Sequence, residues 1–354
     1  MTRARITRRD PLRAIVLVLL FGAAFVGAPF ANHYWLEILT DIGILIIFVV
    51  GIDFLVGYTG LITLGHAGFM GVGAYSLVWI AHIQGIPVSA AMPLAILAGA
   101  VAAVVVGMLV TRVSGVFFIM VTLAISMLFY SWAFKARQPF GGDDGLSVAG
   151  TIRLDLSSIG INLDDQFTFC LFVLALALAA YLLFEWLGRT PFGQTLGAIR
   201  QNENRVRALG CPVGLYKVAA FTVAGALAAL AGALDVQKTE FLHPDVSFWI
   251  KSGEGLIIVI VGGMGTLVGP VIGTFLFVLF HKGVEALTPH WQLWMGLTFI
   301  AIVIVAPDGI YGRLRSLVEA VGRKRAGSTD PAAASAADRA DTPAEGEGDV
   351  RADA

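Results

Sequence analysis

The chain has 354 residues, of which 57% are hydrophobic and only 14% charged, and its mean hydropathy is +0.81. A soluble domain could not cover that much apolar surface, so the composition excludes a soluble globular protein and predicts an integral membrane protein. The 24 basic and 25 acidic residues leave a formal net charge of −1, so no overall basic field points to nucleic acid as a partner.

Ten segments of the chain approach the length of about 20 apolar residues that a membrane-spanning helix needs. They lie at residues 12–29, 36–57, 61–83, 89–110, 115–134, 166–187, 215–236, 252–263, 266–282 and 291–306. The eighth is too short to span alone, and Gly262, Gly263, Met264 and Gly265 separate it from the ninth. Residues 252–282 therefore form either two spans or a re-entrant pair. The predicted fold is therefore an all-α integral membrane protein. It is a polytopic bundle of about 8–10 transmembrane helices with broken or re-entrant elements.

Basic residues indicate the orientation of the bundle, because lysine and arginine accumulate on the cytoplasmic side of a membrane. They cluster at the N-terminus, at 188–217 and at the start of the C-terminal tail. This pattern predicts a basic cytoplasmic N-terminus at 1–11, a transmembrane domain at 12–315 and a cytoplasmic tail at 316–354. The tail is mostly small, polar and acidic, which is typical of disorder. The N-terminus also resembles a signal peptide, but no clear cleavage site follows, which favours a retained first helix.

Sequence motifs for chemistry are absent. The chain has no glycine-rich phosphate loop, no zinc-protease motif and no serine-hydrolase motif. Cys170 and Cys211 have neither CxxC spacing nor a nearby histidine, so they are expected to pack in the bundle rather than to bind metal. The sequence therefore predicts a pore or transporter subunit rather than an enzyme.

The stretch GYTGLITLGHAGFMGVGAY at 57–75 is unusual for a membrane segment, because it combines glycines with polar and titratable side chains. Such side chains are costly in a bilayer unless they face a cavity or a partner. The candidates for a translocation pathway are Asp53, Tyr58, Thr63, His66, Thr122, Ser126 and Glu254. Alternatively, Thr63 and His66 only hydrogen-bond neighbouring backbone. Glu254 could equally pair with Lys251 at the lipid surface.

Glycines also recur in the stretch GGMGTLVGPVIGTFLF at 262–277. Gly265, Gly269 and Gly273 follow one another at every fourth residue, so they are expected to lie on one helix face. This smooth face predicts a tight contact with a neighbouring helix. Pro270 on the same helix would free a carbonyl that must find another partner.

The segment GRTPFGQTLGAIRQNENRVRALGCPVGLYK at 188–217 is basic and semi-polar. It is long enough for two short helices, broken at Gly210 and Pro212. The segment is either a docking site for a soluble cytoplasmic partner or an ordinary basic loop between spans.

Several long stretches together point to one family. The first, at 57–75, is followed by SGVFFIMVTLAISMLFY (114–130), GGDDGLSV (141–148), TPFGQTLGAIRQNENRVRALG (190–210), YKVAAFTVAGALAALAGAL (216–234), SGEGLIIVIVGGMGTLVGPVIG (252–273) and APDGIYG (306–312). In this order they resemble the LivM-type permease subunit of branched-chain amino acid ABC importers. The resemblance covers residues 35–315 and rests on several long motifs, which makes it specific for the family.

The resemblance implies an ABC importer permease fold in the bacterial cytoplasmic membrane. The implied partners are a second, LivH-like permease subunit that completes a heterodimeric pore, two LivG/LivF-like ATPase subunits, a periplasmic substrate-binding protein and the lipid bilayer. ATP and Mg would be bound by the ATPase subunits, so this chain is expected to hold no cofactor and to bind no nucleic acid. The cargo stays open between branched-chain amino acids, urea, short amides and aromatic or other small carboxylates.

Coupling to the ATPase subunits is expected at the segment 188–217. The candidate residues are Arg200, Glu203, Arg205, Arg207 and Gly210. Docking loops of ABC importers often carry an EAA-x-x-x-G pattern, whose glycine matches Gly210. Asn204 stands at the acidic position of that pattern, with Glu203 one residue earlier, so docking is expected from the segment rather than from Glu203 in particular.

Two alternatives come from other classes of protein. An ion-coupled secondary transporter would use broken helices and an intramembrane acid such as Asp53. A stand-alone channel for a small solute would need no ATPase partner. The secondary transporter leaves the segment 188–217 unexplained.

Overall fold

The computed structural model describes residues 11–152, 165–305, 309–314 and 316, and these are almost entirely helical. The helices are α1 Pro11–Gly27, α2 His33–Phe54, α3 His66–Val78, α4 Val88–Val110, α5 Val116–Lys135, α6 Arg137–Phe140, α7 Gln166–Arg189, α8 Pro191–Gln201, α9 Glu203–Ala208, α10 Val213–Thr239, α11 Trp249–Gly262, α12 Val268–Glu285 and α13 Trp291–Val305. Shorter turns are the 3₁₀ helices Ala28–Phe30, Gly142–Asp144 and Pro244–Ser247 and the π-helical turns Leu55–Thr59 and Trp79–Ile83. An antiparallel ribbon pairs β1 Leu146–Ser147 with β2 Phe241–Leu242.

All ten apolar segments predicted from the sequence contain a helix of the structure, which confirms the all-α fold class. In the described part of the chain, six helices are long and apolar enough to cross a membrane. They are His33–Thr59, Val88–Val110, Val116–Lys135, Gln166–Arg189, Val213–Thr239 and Val268–Glu285. The protein is therefore a multi-pass membrane protein.

The described residues up to Gly312 belong to one compact unit, and the few described residues from Arg313 to Ser316 belong to another. The predicted N-terminal segment at 1–11 and the predicted tail at 316–354 lie almost wholly outside the described residues. The predicted domain boundaries therefore stay predictions.

Helix α10 lies at the centre of the bundle and packs against α2, α3 and α4. Its alanines and glycines allow the neighbouring backbones to approach closely, which replaces the hydrophobic drive that is missing between helices in lipid. A Cβ added at Gly73 of α3 would meet the backbone of Ala229 on α10. One added at Gly232 of α10 would meet the backbone of Met70 on α3. The small residues are thus required on both sides of this contact.

The chain between α2 and α3 enters the bundle without helical structure. The predicted segment begins near residue 61, but α3 begins only at His66, and residues 60–65 have no regular structure. Such backbone is tolerated at membrane depth only where it is buried in protein or lines a water-filled cavity. Here the N–H of Leu64 donates to Oγ1 of Thr122 on α5 at 3.4 Å. The protein itself therefore supplies a partner to this interrupted segment.

A second interruption separates α11 from α12 at residues 263–267, which confirms the predicted break in 252–282. It also corrects two expectations. Gly265 lies in the turn with φ +74°, so it does not share a helix face with Gly269 and Gly273. Pro270 falls in the first turn of α12, where a missing N–H removes no helical hydrogen bond, so it frees no carbonyl.

Candidate functional site

Asp53, the first pathway candidate, is fully buried near the end of α2. Its Oδ1 accepts a hydrogen bond from the N–H of Gly265 at 2.6 Å, and its Oδ2 accepts one from the N–H of Leu267 at 3.0 Å. Both carboxyl oxygens are thus engaged by the turn between α11 and α12. The geometry favours a role in holding that turn over the predicted role of lining a pathway.

His66 is the first residue of α3, and its side chain is completely buried. The ring lies between Phe48, at a centroid distance of 5.6 Å, and Phe69, at 6.0 Å. Neither ring nitrogen meets the geometry of a full hydrogen bond; the carbonyl of Ala224 on α10 is the polar group that the ring approaches. His66 therefore packs in an aromatic interior beside the backbone of α10. Both of its predicted roles, lining a pathway and hydrogen-bonding backbone, stay predictions.

Three of the predicted pathway residues use their hydroxyl groups to form hydrogen bonds with backbone groups. Oγ1 of Thr63 accepts a hydrogen bond from the N–H of Gly65 at 3.1 Å. This contact agrees with the alternative that Thr63 only hydrogen-bonds neighbouring backbone. The hydroxyl of Thr122 donates to the carbonyl of Ile119 at 2.9 Å. Ser126 links α5 to the 3₁₀ helix Pro244–Ser247, because its hydroxyl donates to the carbonyl of Ser247 at 3.0 Å.

Ser252 makes a contact with the start of α3 that the sequence did not predict. Its Oγ accepts the N–H of Ala67 at 2.7 Å and so caps the buried start of α3 from α11, 185 residues away in sequence. No local pattern around residue 252 signals this contact, because it depends on how the two interrupted helices meet. The sequence gives only a weak indication of this contact, namely that Ser252 is a serine that precedes an apolar helical run.

A cavity of about 560 Å³ lies between α3, α4, α5 and α10. Its walls are nearly all apolar and include Phe69, Phe129 and Trp132. Of the seven predicted pathway residues, only Thr122 and Ser126 line this cavity. A pathway role for these two residues stays a prediction.

Tyr58 and Glu254 lie away from this cavity. Tyr58 is buried against Phe54, at a ring-centroid distance of 5.0 Å, and a Cβ added at Gly188 of α7 would lie 2.5 Å from its hydroxyl oxygen. Glu254 is partly buried on α11. Among the described ion pairs it makes none with Lys251, so that predicted pair is wrong.

The segment 188–217 forms the two short helices that the sequence predicts, α8 and α9. Leu196 and Ile199 bury one face of α8 against the bundle. Glu203 fixes α9, because its carboxylate pairs with Arg207 at 2.8 Å and with the buried Lys217 of α10 at 2.7 Å. Glu203 is therefore occupied within the chain, which agrees with docking through the segment as a whole.

The remaining coupling candidates divide into two groups. Arg205 and Gly210 are exposed, and a Cβ at Gly210 would meet nothing within 4 Å. Gly210 has φ +81°, so it adopts the left-handed backbone that favours glycine at a helix end. Arg200 is exposed as well, but its guanidinium also reaches the bundle, where it donates a hydrogen bond to the carbonyl of Gly57. A docking role for these residues stays a prediction.

Two of the three glycines that are predicted to form a tight helix contact lie close to the backbone of α11. A Cβ at Gly269 would lie 2.5 Å from the carbonyl oxygen of Gly262, and one at Gly273 would lie 2.7 Å from that of Ile258. Both glycines of α12 therefore rest directly on the backbone of α11. Gly265 makes its close contact with Gly57 instead.

These features define a polytopic membrane protein whose helices break inside the bundle and which carries short helices between two of its spans. Residues 34–306 match the family described as "Branched-chain amino acid transport system / permease component". The chain therefore belongs to this family, and it is a permease component of an ABC transport system and not a secondary transporter.

Individual relatives agree with this assignment. The chain is 29% identical to the high-affinity branched-chain amino acid transport system permease protein LivM of Salmonella typhimurium, over 77% of this chain and 69% of that protein. It is 28% identical to the Escherichia coli protein of the same name, over 84% and 74%. The autoinducer 2 import system permease protein LsrC of Photorhabdus laumondii is 28% identical over half of each chain. No solved structure matches the chain.

Proposed function

We propose that the chain forms half of the translocation pore of a binding-protein-dependent importer in the bacterial cytoplasmic membrane. The other half would be a LivH-like permease subunit, and a periplasmic binding protein would deliver the substrate. The observation that carries this proposal is the family match over residues 34–306, supported by two LivM relatives over most of their length. The substrate would be a branched-chain amino acid or a related small polar or carboxylate solute.

Two ATPase subunits would supply the energy and hold the ATP and Mg, so this chain would itself be no enzyme. The segment α8–α9 supports a docking role, because it stands between spans α7 and α10 with one face on the bundle and Arg205 exposed on the other. It is a basic surface, and it is fixed to α10 by the pair of Glu203 and Lys217.

The experiment for this proposal is affinity purification of the tagged chain from its native membrane, followed by reconstitution in liposomes. ATPase subunits and a second permease are expected to co-purify, and mass spectrometry identifies them. Uptake of labelled leucine should need ATP inside the liposomes and loaded binding protein outside, and a protonophore should leave it unchanged. Uptake by the chain alone, driven by an ion gradient, would contradict the proposal.

Both termini are expected to lie in the cytoplasm. The ten apolar helices give an even number of crossings if each spans the membrane, and the basic clusters lie at both ends. Reporter fusions at residue 1 and residue 354 should therefore be active only in the cytoplasm. A periplasmic signal from either end would contradict this orientation and the docking role with it.

Replacing Gly210 with tryptophan is expected to reduce substrate-stimulated ATPase activity and uptake together, while the binding protein keeps its affinity for cargo. A bulky residue would be strained at φ +81° and would project from the docking surface. ATPase activity of the reconstituted complex, measured with and without loaded binding protein, tests this.

Two further variants separate strain from bulk at Gly210. Gly210→Asn tolerates the left-handed backbone, so it should act more mildly than tryptophan. Gly85→Trp is the matched control, because Gly85 also has positive φ and open surroundings but follows α3 at the predicted outer side. If Gly210→Trp behaves like Gly85→Trp, the segment is only a basic linker.

A further inference from the structure

Arg200 stands where three parts of the chain meet. It lies at the end of α8, and its guanidinium donates to the carbonyl of Gly57 in the π-helical turn after α2. The stem of the same side chain covers Gly60, because a Cβ added there would lie 3.2 Å from Cγ of Arg200. Gly60, with φ +74°, is the residue at which the helical backbone ends and residues 60–65 begin. Arg200 thus holds both the last turn of α2 and the start of the first interruption.

The second interruption touches the same point. A Cβ added at Gly57 would lie 2.9 Å from the amide nitrogen of Gly265, and one added at Gly265 would lie 3.4 Å from Nη1 of Arg200. The two turns therefore meet backbone to backbone, with no side chain between them. Asp53, one turn earlier on α2, binds Gly265 and Leu267 through their N–H groups. The α11–α12 turn cannot move far without moving the end of α2.

We propose that Arg200 is a positioning residue that transmits displacements of α8 to both helix interruptions, and so to the helices α3 and α12 that begin after them. This inference rests on the proposed function, in which an ATPase subunit moves α8. A guanidinium suits the role, because a charged hydrogen bond to a carbonyl is about twice as strong as a neutral one. Arg205 is exposed on the same segment, as Arg200 is, but it is Arg200 whose guanidinium reaches the carbonyl of Gly57.

The test is hydrogen–deuterium exchange of the whole complex, compared between the nucleotide-free state and the state trapped with ATP and vanadate. In the parent, trapping should change exchange in three sets of peptides, those covering 191–201, 55–65 and 263–268. In Arg200→Gln the peptides of α8 should still respond, and the response at 55–65 and 263–268 should be lost. Stimulation of ATPase activity by loaded binding protein should fall about tenfold, as expected when a charged hydrogen bond is removed.

Two controls complete the experiment. Arg200→Lys keeps the charge and one donor, so it should restore part of the response and of the stimulation. Arg112→Gln removes the same charge from an exposed position between α4 and α5 and should leave all three responses as in the parent.

The outcomes separate this inference from the function on which it rests. If the peptides of α8 also lose their response in Arg200→Gln, Arg200 acts on the ATPase and the inference is wrong. If both interruptions respond as in the parent, another contact transmits the movement, and the inference is again wrong. If no ATPase associates with the parent, the proposed function fails first.

Discussion

Replacing Asp53 with leucine is expected to destabilise the bundle strongly, although the two side chains are similar in size. The change removes both acceptors of the α11–α12 turn and leaves the N–H groups of Gly265 and Leu267 without partners. A buried donor left unsatisfied costs about 1–3 kcal/mol, so the two together should cost about 2–6 kcal/mol. The thermal unfolding midpoint of the purified complex in detergent, followed by fluorescence-detected size-exclusion chromatography, should fall by several degrees.

Two variants make this result specific to Asp53. Glu37→Leu removes a carboxylate from the same helix, where the side chain is half exposed, and should change the midpoint little. Asp53→Asn keeps one acceptor oxygen but points an NH₂ group at a second donor, so it should lie between the parent and Asp53→Leu. If the Asp53→Leu complex has the same thermal unfolding midpoint as the parent, the turn is held by other contacts. If that complex also lost transport, the predicted pathway role of Asp53 would be favoured instead.

The helices were predictable because the signal for them is local. An apolar run of about 20 residues has few alternatives in a membrane, and all ten runs do contain a helix. The break after α11 was equally visible, because glycines at 262, 263 and 265 interrupt a run that is already short. The short helices α8 and α9 were predicted for a similar reason, from a polar segment punctuated by Gly210 and Pro212.

The candidate site was less predictable because its contacts join distant parts of the chain. Asp53 stood out as an acid in an apolar run, but its partners lie 212 and 214 residues later. Their donors are backbone N–H groups, which every residue but proline carries, so no sequence pattern announces them. The same applies to Arg200, whose acceptor is a backbone carbonyl. Residue type alone marked Asp53 and Arg200 as functional candidates, but only the fold shows which backbone groups they bind.

The glycine spacing illustrates a different kind of error. A repeat at every fourth residue predicts a shared face only if the helix covers the whole repeat. Helix α12 starts at Val268, so the rule holds for Gly269 and Gly273 and fails for Gly265. Helix boundaries are the weakest part of such predictions, and here the boundary lay inside the motif. Gly265 therefore lies against Gly57 and not in the contact between α11 and α12.

Gly269→Leu is expected to prevent normal assembly of the permease. Even the first carbon of a side chain would lie 2.5 Å from the carbonyl oxygen of Gly262 and 2.6 Å from Oγ1 of Thr266, and neither atom can withdraw easily. The carbonyl belongs to the end of α11, and the hydroxyl accepts the N–H of Gly269 itself at 2.9 Å. Relief therefore requires α11 and α12 to separate. The cost should reach at least the upper end of the ~1–3 kcal/mol that is typical of overpacking.

The matched control for Gly269→Leu is Gly283→Leu on the same helix, where a Cβ would meet nothing within 4 Å. Both variants add the same side chain to α12 and raise its helix propensity alike, so propensity cancels between them. Size-exclusion chromatography of the complex and uptake in liposomes should separate the two, with Gly283→Leu close to the parent and Gly269→Leu poorly assembled. Equal assembly and transport by both variants would mean that α11 and α12 do not pack through Gly269. The pairing of the two helices would then depend on other contacts, and the turn held by Asp53 is the first of these, because it joins the end of α11 to the start of α12.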